Sequence, residues 1–429
     1  MIPKIEHAST QDIKVFQEEK LHELLTYLSK HSTYYKRVFS EHNIDVNSIQ
    51  SLEDLTKIPT TTKDQLQQYN DEFLCVPKNK IIDYVTTSGT LGDPVTFALT
   101  DNDLERLAYN EAISFACAGV NENDVLQLMT TIDRRFMAGL AYFLGVRKLG
   151  AGIIRVGAGI PELQWDSILK FKPTYLIAVP SFLLKLIEFA EQHDIDVNAS
   201  GVKGAICIGE PLREQDFSLN TLSEKIKSKW DIELYSTYAS TEMNTAFTEC
   251  EAQRGGHHHP ELIIVEILDD NDRPVPEGDV GELTITTLGV EGMPLLRFKT
   301  GDMVSAHHSN CSCGRNTMRL GPVVGRKKQM IKYKGTTLYP PAMDNILNDF
   351  SEVETYIIEI SHNSIGTDEI LIKIASKDNS QKLLHSIKDH FRAKLRVAPK
   401  IEFHDKKEIQ KLQFPIMSRK PTNVIDKRI

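Results

Sequence analysis

Apolar residues between positions 10 and 43 recur at three- and four-residue intervals, at Leu21, Leu24, Leu25, Tyr27 and Leu28 and again at Tyr34, Tyr35, Val38 and Phe39. Side chains return to one face of a helix at that period, so a helical opening is expected. Thr62, just beyond Pro59, is an N-cap candidate for a further short helix. From 101 to 238 the period switches back and forth: helical stretches at 101–118, 135–149, 162–171, 181–192 and 213–228 alternate with β-rich runs at 124–130, 152–156, 174–179, 203–208 and 232–237. Such alternation builds a largely parallel sheet with helices on both faces, which binds ligands at the carboxyl ends of its strands. Past 245 the helical period stops, and 263–268, 281–288 and 295–306 read as strands. The last quarter reads strand, helix, strand, strand, helix, strand, at 329–338, 341–349, 353–361, 368–375, 380–395 and 400–404. The expected fold class is α/β: a large N-terminal domain, 1–325, joining a parallel-sheet core to a β-rich part, and a small C-terminal α+β domain, 326–429.

Composition narrows the classes. A chain of 429 residues exceeds what one hydrophobic core holds, and 41% hydrophobic with 25% charged residues is ordinary for a soluble globular protein. No apolar run reaches the roughly 20 residues needed to span a bilayer. The start, MIPKIEHASTQDIKVFQEEK, lacks the apolar core of a signal peptide, so a cytoplasmic location is expected. A net charge of −9 argues against a general nucleic-acid binder. Neither nucleic acid nor membrane is an expected partner, and a homodimer is left open. Six cysteines without disulfide-framework spacing fit a reducing compartment in which clustered thiols serve a metal.

Chemistry enters at YVTTSGTLGDPVTFAL, Tyr84 to Leu99, whose β-rich ends enclose Thr87, Ser88, Gly89, Thr90 and Gly92. Strand, loop, strand is expected. The glycines allow positive φ or close approach to a ligand, and hydroxyls with successive N–H groups make a nest suited to phosphate. The same composition also makes plain turns. The order of residues adds more: TTSGTLGDP resembles the TSGTTGxP loop of the adenylate-forming (acyl-CoA synthetase-like) superfamily. Leu91 replaces a threonine, and Asp93 stands where many members carry a lysine facing the pyrophosphate end of ATP. The grip on the β and γ phosphates then falls to hydroxyls, amides and magnesium.

Five further phrases follow in the family's order. Gly209-Glu210-Pro211, after the strand ending at Ile208, resembles the G-x-E-P turn that lies along adenine. Tyr238-Ala239-Ser240-Thr241-Glu242, placed after the strand ending near Thr237, resembles YGxTE with alanine for glycine. The resemblance implies a tyrosine on or beside the base, hydroxyls near the α-phosphate and Glu242 on magnesium. A hard carboxylate suits that ion. Alone, a Thr-Glu pair reads as an exposed helix start. Thr300-Gly301-Asp302 resembles the TGD signature, in which Asp302 accepts from both ribose hydroxyls, as a carboxylate can. Gly325 to Ile331, GRKKQMI, resembles the GRxDDMI hinge with Lys328 and Gln329 for its acids, and places Arg326 near ribose or phosphate. The domain boundary is carried over and the hinge mechanism is not. Lys420, ahead of a V-x-D phrase, matches the catalytic lysine of the terminal GKxxRVxD motif, with Arg419 for glycine and Asn423 for arginine. A helical start ending in P-x-T-T-K resembles the phenylacetate-CoA ligase branch.

The resemblance implies a large adenylation domain with a small α+β lid, and ATP, Mg2+ and coenzyme A as cofactors or co-substrates. A carboxylate attacks the α-phosphorus of ATP, pyrophosphate leaves, and the thiol of coenzyme A takes the acyl group. Lys420 would bridge acid and α-phosphate, with Glu242 and Thr241 beside it. The implied acid is aryl or related, such as phenylacetate, in a pocket drawn from scattered segments such as Phe136 to Tyr142 and Ile206 to Gly209. Two alternatives stay open: delivery of the acyl group to a carrier protein or an amine, and a non-catalytic nucleotide-binding protein, motivated by Asp93, Lys328 and Gln329.

Cys250, His258, Cys311 and Cys313 form a separate constellation. Four N/S ligands suggest tetrahedral, structural zinc, and zinc sites with such loops occur in part of the same branch. Free thiols are the alternative, and His257 and His259 compete for the histidine role. Cys75, Cys117 and Cys207 sit in apolar company and read as core.

Overall fold

The computed structural model describes residues 3–87, 94–333, 336–363, 367–413 and 422–428. The opening helices, Thr10–His31 and Thr33–Glu41, each begin on a serine whose hydroxyl accepts a backbone N–H, Ser9 from Asp12 and Ser32 from Tyr35. Their apolar stripe, Leu21, Leu24, Leu25, Leu28, Tyr34, Tyr35 and Phe39, is buried in one core with Phe73, Phe97 and Phe298. Thr62 caps the short helix Lys63–Gln68 in a reciprocal capping box with Gln65.

The chain divides into two compact units, Met1–Thr300 with Val304–Val323, and Gly301–Met303 with Val324–Ile429. In the first, the parallel strands Gly152–Arg155, Val125–Leu128, Tyr175–Ala178, Gly204–Ile208 and Glu233–Ser240 lie side by side in that order. Leu176, Ala178, Ala205, Cys207 and Leu234 point into one apolar cluster with Trp165 and Trp230. Their neighbours Ile177, Ile206, Ile208 and Tyr235 point into another on the opposite face, with Phe115 and Tyr142. Alternate residues thus fill two buried faces, which is why these strands read as apolar runs.

The sheet continues antiparallel through Thr245–Glu249, Gly256–His257, Arg319–Leu320, Phe298–His307, Val280–Thr287 and Ile263–Leu268. Two boundaries differ from expectation. The helix expected over 213–228 is only Thr221–Lys227, because Asn220 caps it by accepting from Ser223 N and Arg213 is drawn into a buried pair with Glu249, 2.7 Å. The strand expected to stop at 237 runs to Ser240, because Tyr238, Ala239 and Ser240 pair with Phe247, Ala246 and Thr245.

The second unit holds a four-stranded sheet in the order Lys400–Phe403, Asp368–Ser376, Val353–His362, Val424–Asp426, with the helices Pro340–Asn348, Gln381–Leu395 and Lys406–Gln413. Ile331, Met343, Ile358, Ile372 and Phe391 are its core. The single strand expected at 329–338 is a hairpin, Ile331–Tyr333 with Thr336–Leu338. With its parallel sheet, β-rich extension and small α+β unit, the fold is the α/β class expected from the sequence. Among the described residues no helix is long and apolar enough to cross a membrane.

Candidate active site and metal centre

Two of the sequence phrases meet at the carboxyl ends of adjacent parallel strands. Ile208 pairs in register with Thr237, so Gly209-Glu210-Pro211 leaves the sheet beside Tyr238-Ala239-Ser240. Gly209 has φ +75°, a left-handed turn that a side chain would strain. The Glu210 carboxylate accepts from Ser181 N at 2.9 Å and Ser181 Oγ at 2.8 Å, holding the start of the helix Pro180–Gln192. Pro211 O accepts from Asn220 Nδ2 at 2.8 Å. Tyr142, Ile206 and Ile208, from the two segments expected to shape an acid pocket, share one apolar cluster.

The phrase ending in Glu242 is a hairpin and no helix start: Tyr238, Ala239 and Ser240 belong to the strand, and residues 241–244 turn into Thr245–Glu249. Ser240 Oγ accepts from Met243 N at 3.3 Å, and Thr241 O from Asn244 Nδ2 at 3.1 Å. Buried Arg106 braces this turn, donating to Asn244 O, Thr245 Oγ1, Leu262 O and Leu288 O. Burial, partly offset by the nearby carboxylates of Asp103 and Glu261, lowers its pKa to about 10, which still leaves it charged at neutral pH. Glu242 is nearly buried, and its Oε1 accepts from Lys63 Nζ at 3.2 Å. Sequence reasoning gives Lys63 only a place in the P-x-T-T-K phrase. Its pairing with a residue 179 positions away has no local signal beyond that wording.

At the foot of the hydroxyl loop, the strands Ile81–Thr86 and Thr96–Thr100 pair antiparallel. Thr87 N donates to Val95 O at 3.0 Å and Thr87 Oγ1 accepts from Val95 N at 3.0 Å. Thr87 is buried by this clasp, so one lone pair of the hydroxyl expected at phosphate closes the loop instead. Ser88, Gly89 and Thr90, with Asp93, lie outside the described residues, as does Lys420.

Within the second unit, Asp302 and Arg326 are cross-strand partners, with Asp302 Oδ1 3.3 Å from Arg326 Nε. The two residues expected near ribose are therefore together. Gly301 has φ +79° and open space around it, so its backbone angle is what calls for glycine. At Gly325 the reason is room, since a Cβ there would stand 2.6 Å from the Tyr339 ring.

Cys250, His257, Cys311 and Cys313 each bring one donor atom within 4.8 Å of the others. Cys250 Sγ is 3.5 Å from Cys311 Sγ, and Cys313 Sγ is 3.4 Å from His257 Nε2. Donors on a tetrahedral zinc stand about 3.5–3.8 Å apart, so the set fits that ion. The histidine is His257, which corrects the expectation of His258. Neighbouring residues of an extended segment point to opposite sides, so one position decides which ring faces the thiols. His258 instead turns its Nε2 to Ile263 O, 2.5 Å, and burial pushes its pKa down to about 4. His259 is engaged by Glu6 Oε1 at 2.5 Å and Ser114 Oγ at 3.2 Å. His257 Nδ1 lies 2.9 Å from Thr317 Oγ1, which leaves Nε2 for a metal.

Burial pushes the Cys250 thiol up to about 12. It opposes ionisation of Cys313 too, but His257 and Arg315 outweigh it and bring that thiol down to about 5. The loop is fastened to the N-terminal turn Lys4–His7: Arg315 Nε donates to Glu6 Oε2 at 2.7 Å, Asn316 N to Glu6 O at 2.8 Å, and His7 Nδ1 lies 2.7 Å from Gly314 O. Cys117 packs beside Cys250 and Cys311, but its thiol points to Thr248 O, outside the ligand set. Cys75 and Cys207 are core residues, as expected.

The model of the AMP-binding enzyme family matches residues 17–292, and that of the AMP-binding enzyme C-terminal domain matches 335–428. The chain is 29% identical over 377 residues to a phenylacetate-coenzyme A ligase of Thermus thermophilus, covering 87% of this chain and 83% of the relative. It is 26% identical over 388 residues to the phenylacetate-coenzyme A ligase of Escherichia coli K12, covering 89% and 86%. Its fold is similar to a crystal structure of 2-hydroxyisobutyryl-CoA ligase in the postadenylation state with 2-HIB-AMP, with a TM-score of 0.85, 23% identity, and 99% and 92% of the two chains covered.

Proposed function

The chain belongs to the AMP-binding enzyme family, in its phenylacetate-CoA ligase-like branch, and on that premise we propose that it is an ATP-dependent, AMP-forming acid–CoA ligase acting on an aryl or related carboxylic acid such as phenylacetate. One observation carries the reading of the site. The Gly209 turn and the Tyr238 to Glu242 hairpin stand at the carboxyl ends of adjacent parallel strands, where an open α/β sheet receives its ligand.

A substrate carboxylate oxygen attacks the α-phosphorus, pyrophosphate leaves, and the thiol sulfur of coenzyme A then displaces AMP from the acyl carbon. The protein aligns two anions and offsets their repulsion. Ser240 and Thr241 face the α-phosphate, Tyr238 and the 209–211 turn take the base, and Asp302 with Arg326 takes the ribose. Glu242 would hold Mg2+, which neutralises phosphate charge when bound. The unit ending at Val323 is the adenylation body and the second unit the lid that carries Lys420. Cys250, His257, Cys311 and Cys313 would hold a structural zinc that joins the 311–313 loop to the segment carrying Cys250 and His257, apart from the chemistry.

Pyrophosphate release, screened over aryl, aliphatic and amino acids with and without coenzyme A, tests the proposal. Release with an aryl acid and thioester formed only when coenzyme A is present is the expected result; no release with any acid overturns it. Ribose recognition gives a second check. Asp302→Asn is expected to weaken ATP binding by about 1.5–3 kcal/mol, the value of a charged hydrogen bond. In calorimetry 2′-deoxy-ATP binds the native enzyme more weakly than ATP, and the variant loses most of that discrimination.

A further inference from the structure

We infer that Glu111 selects the acid substrate, taking the hydroxyl of a ring-hydroxylated aryl acid at the end remote from its reacting carboxylate. The inference rests on the ligase reading of the same site and names the substrate class within it. Glu111 lies on the helix Asp101–Cys117, is 5% exposed, and through Oε1 accepts from Asn110 Nδ2 at 3.0 Å. Its other oxygen, Oε2, is buried and has no hydrogen-bond partner among the described residues. Buried polar atoms are nearly always paired, so one left over calls for a partner from outside the chain.

Packing gives no reason for a carboxyl at this position. Leu107, Ala108, Ala112 and Phe115 of the same helix are buried and apolar. The neighbouring helix Met137–Leu149 admits Glu111 because position 145 is glycine, where a Cβ would stand 2.2 Å from the Glu111 Cβ. An apolar side chain in that seam would spare the desolvation that a carboxyl costs. Burial pushes the pKa of Glu111 up to about 8, so at neutral pH it is chiefly the uncharged acid. With Oε1 engaged as an acceptor, the proton belongs on Oε2, which then offers an O–H. A charged group would enter so apolar a seam at high cost, whereas a hydroxyl can accept from that O–H and remain neutral.

Position identifies the molecule that carries the hydroxyl. The helix of Glu111 runs along the hairpin that follows Tyr238: Arg106 donates to Asn244 O, and one turn later Asn110 Oδ1 accepts from Ala246 N at 3.1 Å. Ala246 is the register partner of Ala239. On its other side Glu111 faces the helix of Tyr142, near enough for its charge to oppose ionisation of that phenol. Tyr142 packs in one apolar cluster with Ile206 and Ile208. Glu111 therefore stands between the hairpin assigned to the α-phosphate and the two segments assigned to the acid. An aryl acid with its carboxylate at Ser240 and Thr241 and its ring on that cluster brings a ring substituent to Glu111.

The test is pyrophosphate release by the full chain with phenylacetate and its ortho-, meta- and para-hydroxy derivatives, read as separate kcat and KM values. The native enzyme is expected to prefer one hydroxylated acid over phenylacetate by about 10-fold or more in kcat/KM, since a site built for a hydroxyl leaves its own polar group unpaired when the analogue lacks one. Glu111→Met lowers kcat/KM for that acid by about 10-fold or more, mainly through KM, and raises it for phenylacetate. Glu111→Gln, which keeps a donor and an acceptor, retains most of the preference. The ordering of the four acids by the native enzyme needs no variant: use of phenylacetate as well as or better than every derivative overturns the inference and leaves the ligase reading intact. A preference that survives in Glu111→Met also overturns it, as do equal losses for all four acids, which would make Glu111 a support of the helix pair. No pyrophosphate release with any acid of the wider screen removes the ligase reading together with this one.

Discussion

Lys420→Ala lowers acyl-adenylate formation by a factor on the order of 100 or more, comparable with loss of one preorganised donor, and leaves thioester formation from pre-made acyl-adenylate and coenzyme A near the native rate. In the first step two negative groups approach one another, and a lysine between them offsets the repulsion most strongly where water is excluded. The second step has no such encounter, because the acyl group is already neutral when the thiol arrives. Although Lys420 is outside the described residues, the chain on either side of it is firmly held. Thr422 N donates to Gln413 O at 2.8 Å, and Gln413 Nε2 donates to Asn423 Oδ1 at 2.9 Å and Tyr356 O at 3.2 Å. Asn423, which departs from the family's arginine, is one of the residues that hold the chain after the tail lysine to the helix Lys406–Gln413. Separate assays of the two half-reactions decide the matter: equal loss in both would make Lys420 a structural residue.

Purified protein is expected to contain about one zinc per chain by elemental analysis, and Cys311→Ser with Cys313→Ser to contain almost none. The four donors lie within 4.8 Å of one another, so the binding free energy of an ion held there adds to folding. Removing the metal lowers the melting temperature far more than it changes turnover at a temperature where the protein stays folded. The thiols alone do not identify the histidine. His257→Ala loses the zinc, whereas His258→Ala retains it, since the His258 ring faces Ile263 O. Unchanged metal content in the double cysteine variant, or loss in His258→Ala with retention in His257→Ala, would sink the assignment.

Glu242 offers oxygen at the end of a strand, a donor that suits magnesium, and the Cys/His set offers sulfur and nitrogen, donors that suit zinc.

The sequence by itself determined which segments bury apolar side chains and in what rhythm. Leu176 to Ala178 and Ala205 to Ile208 are apolar at every position because both faces of their strands are covered, and that is written locally. The order of six short phrases, from the hydroxyl loop to Asp302 and the tail, also pointed to the AMP-binding enzyme family. Only the tertiary structure decided what each polar group meets. The strand at Tyr238 extends because Thr245 to Phe247 return beside it, and the three-residue strand Val424–Asp426 exists because Val353–His362 offers it an edge. A run of three residues carries no period of its own. His257 and His258 are alike in sequence and differ in which side of an extended segment they occupy. Glu6 with Arg315, Lys63 with Glu242, and Arg106 with the Asn244 turn join residues more than a hundred positions apart. Periodicity reports burial within a window of a dozen residues. Charge pairs and metal donors are set by where distant segments come to rest, and no local pattern carries that information.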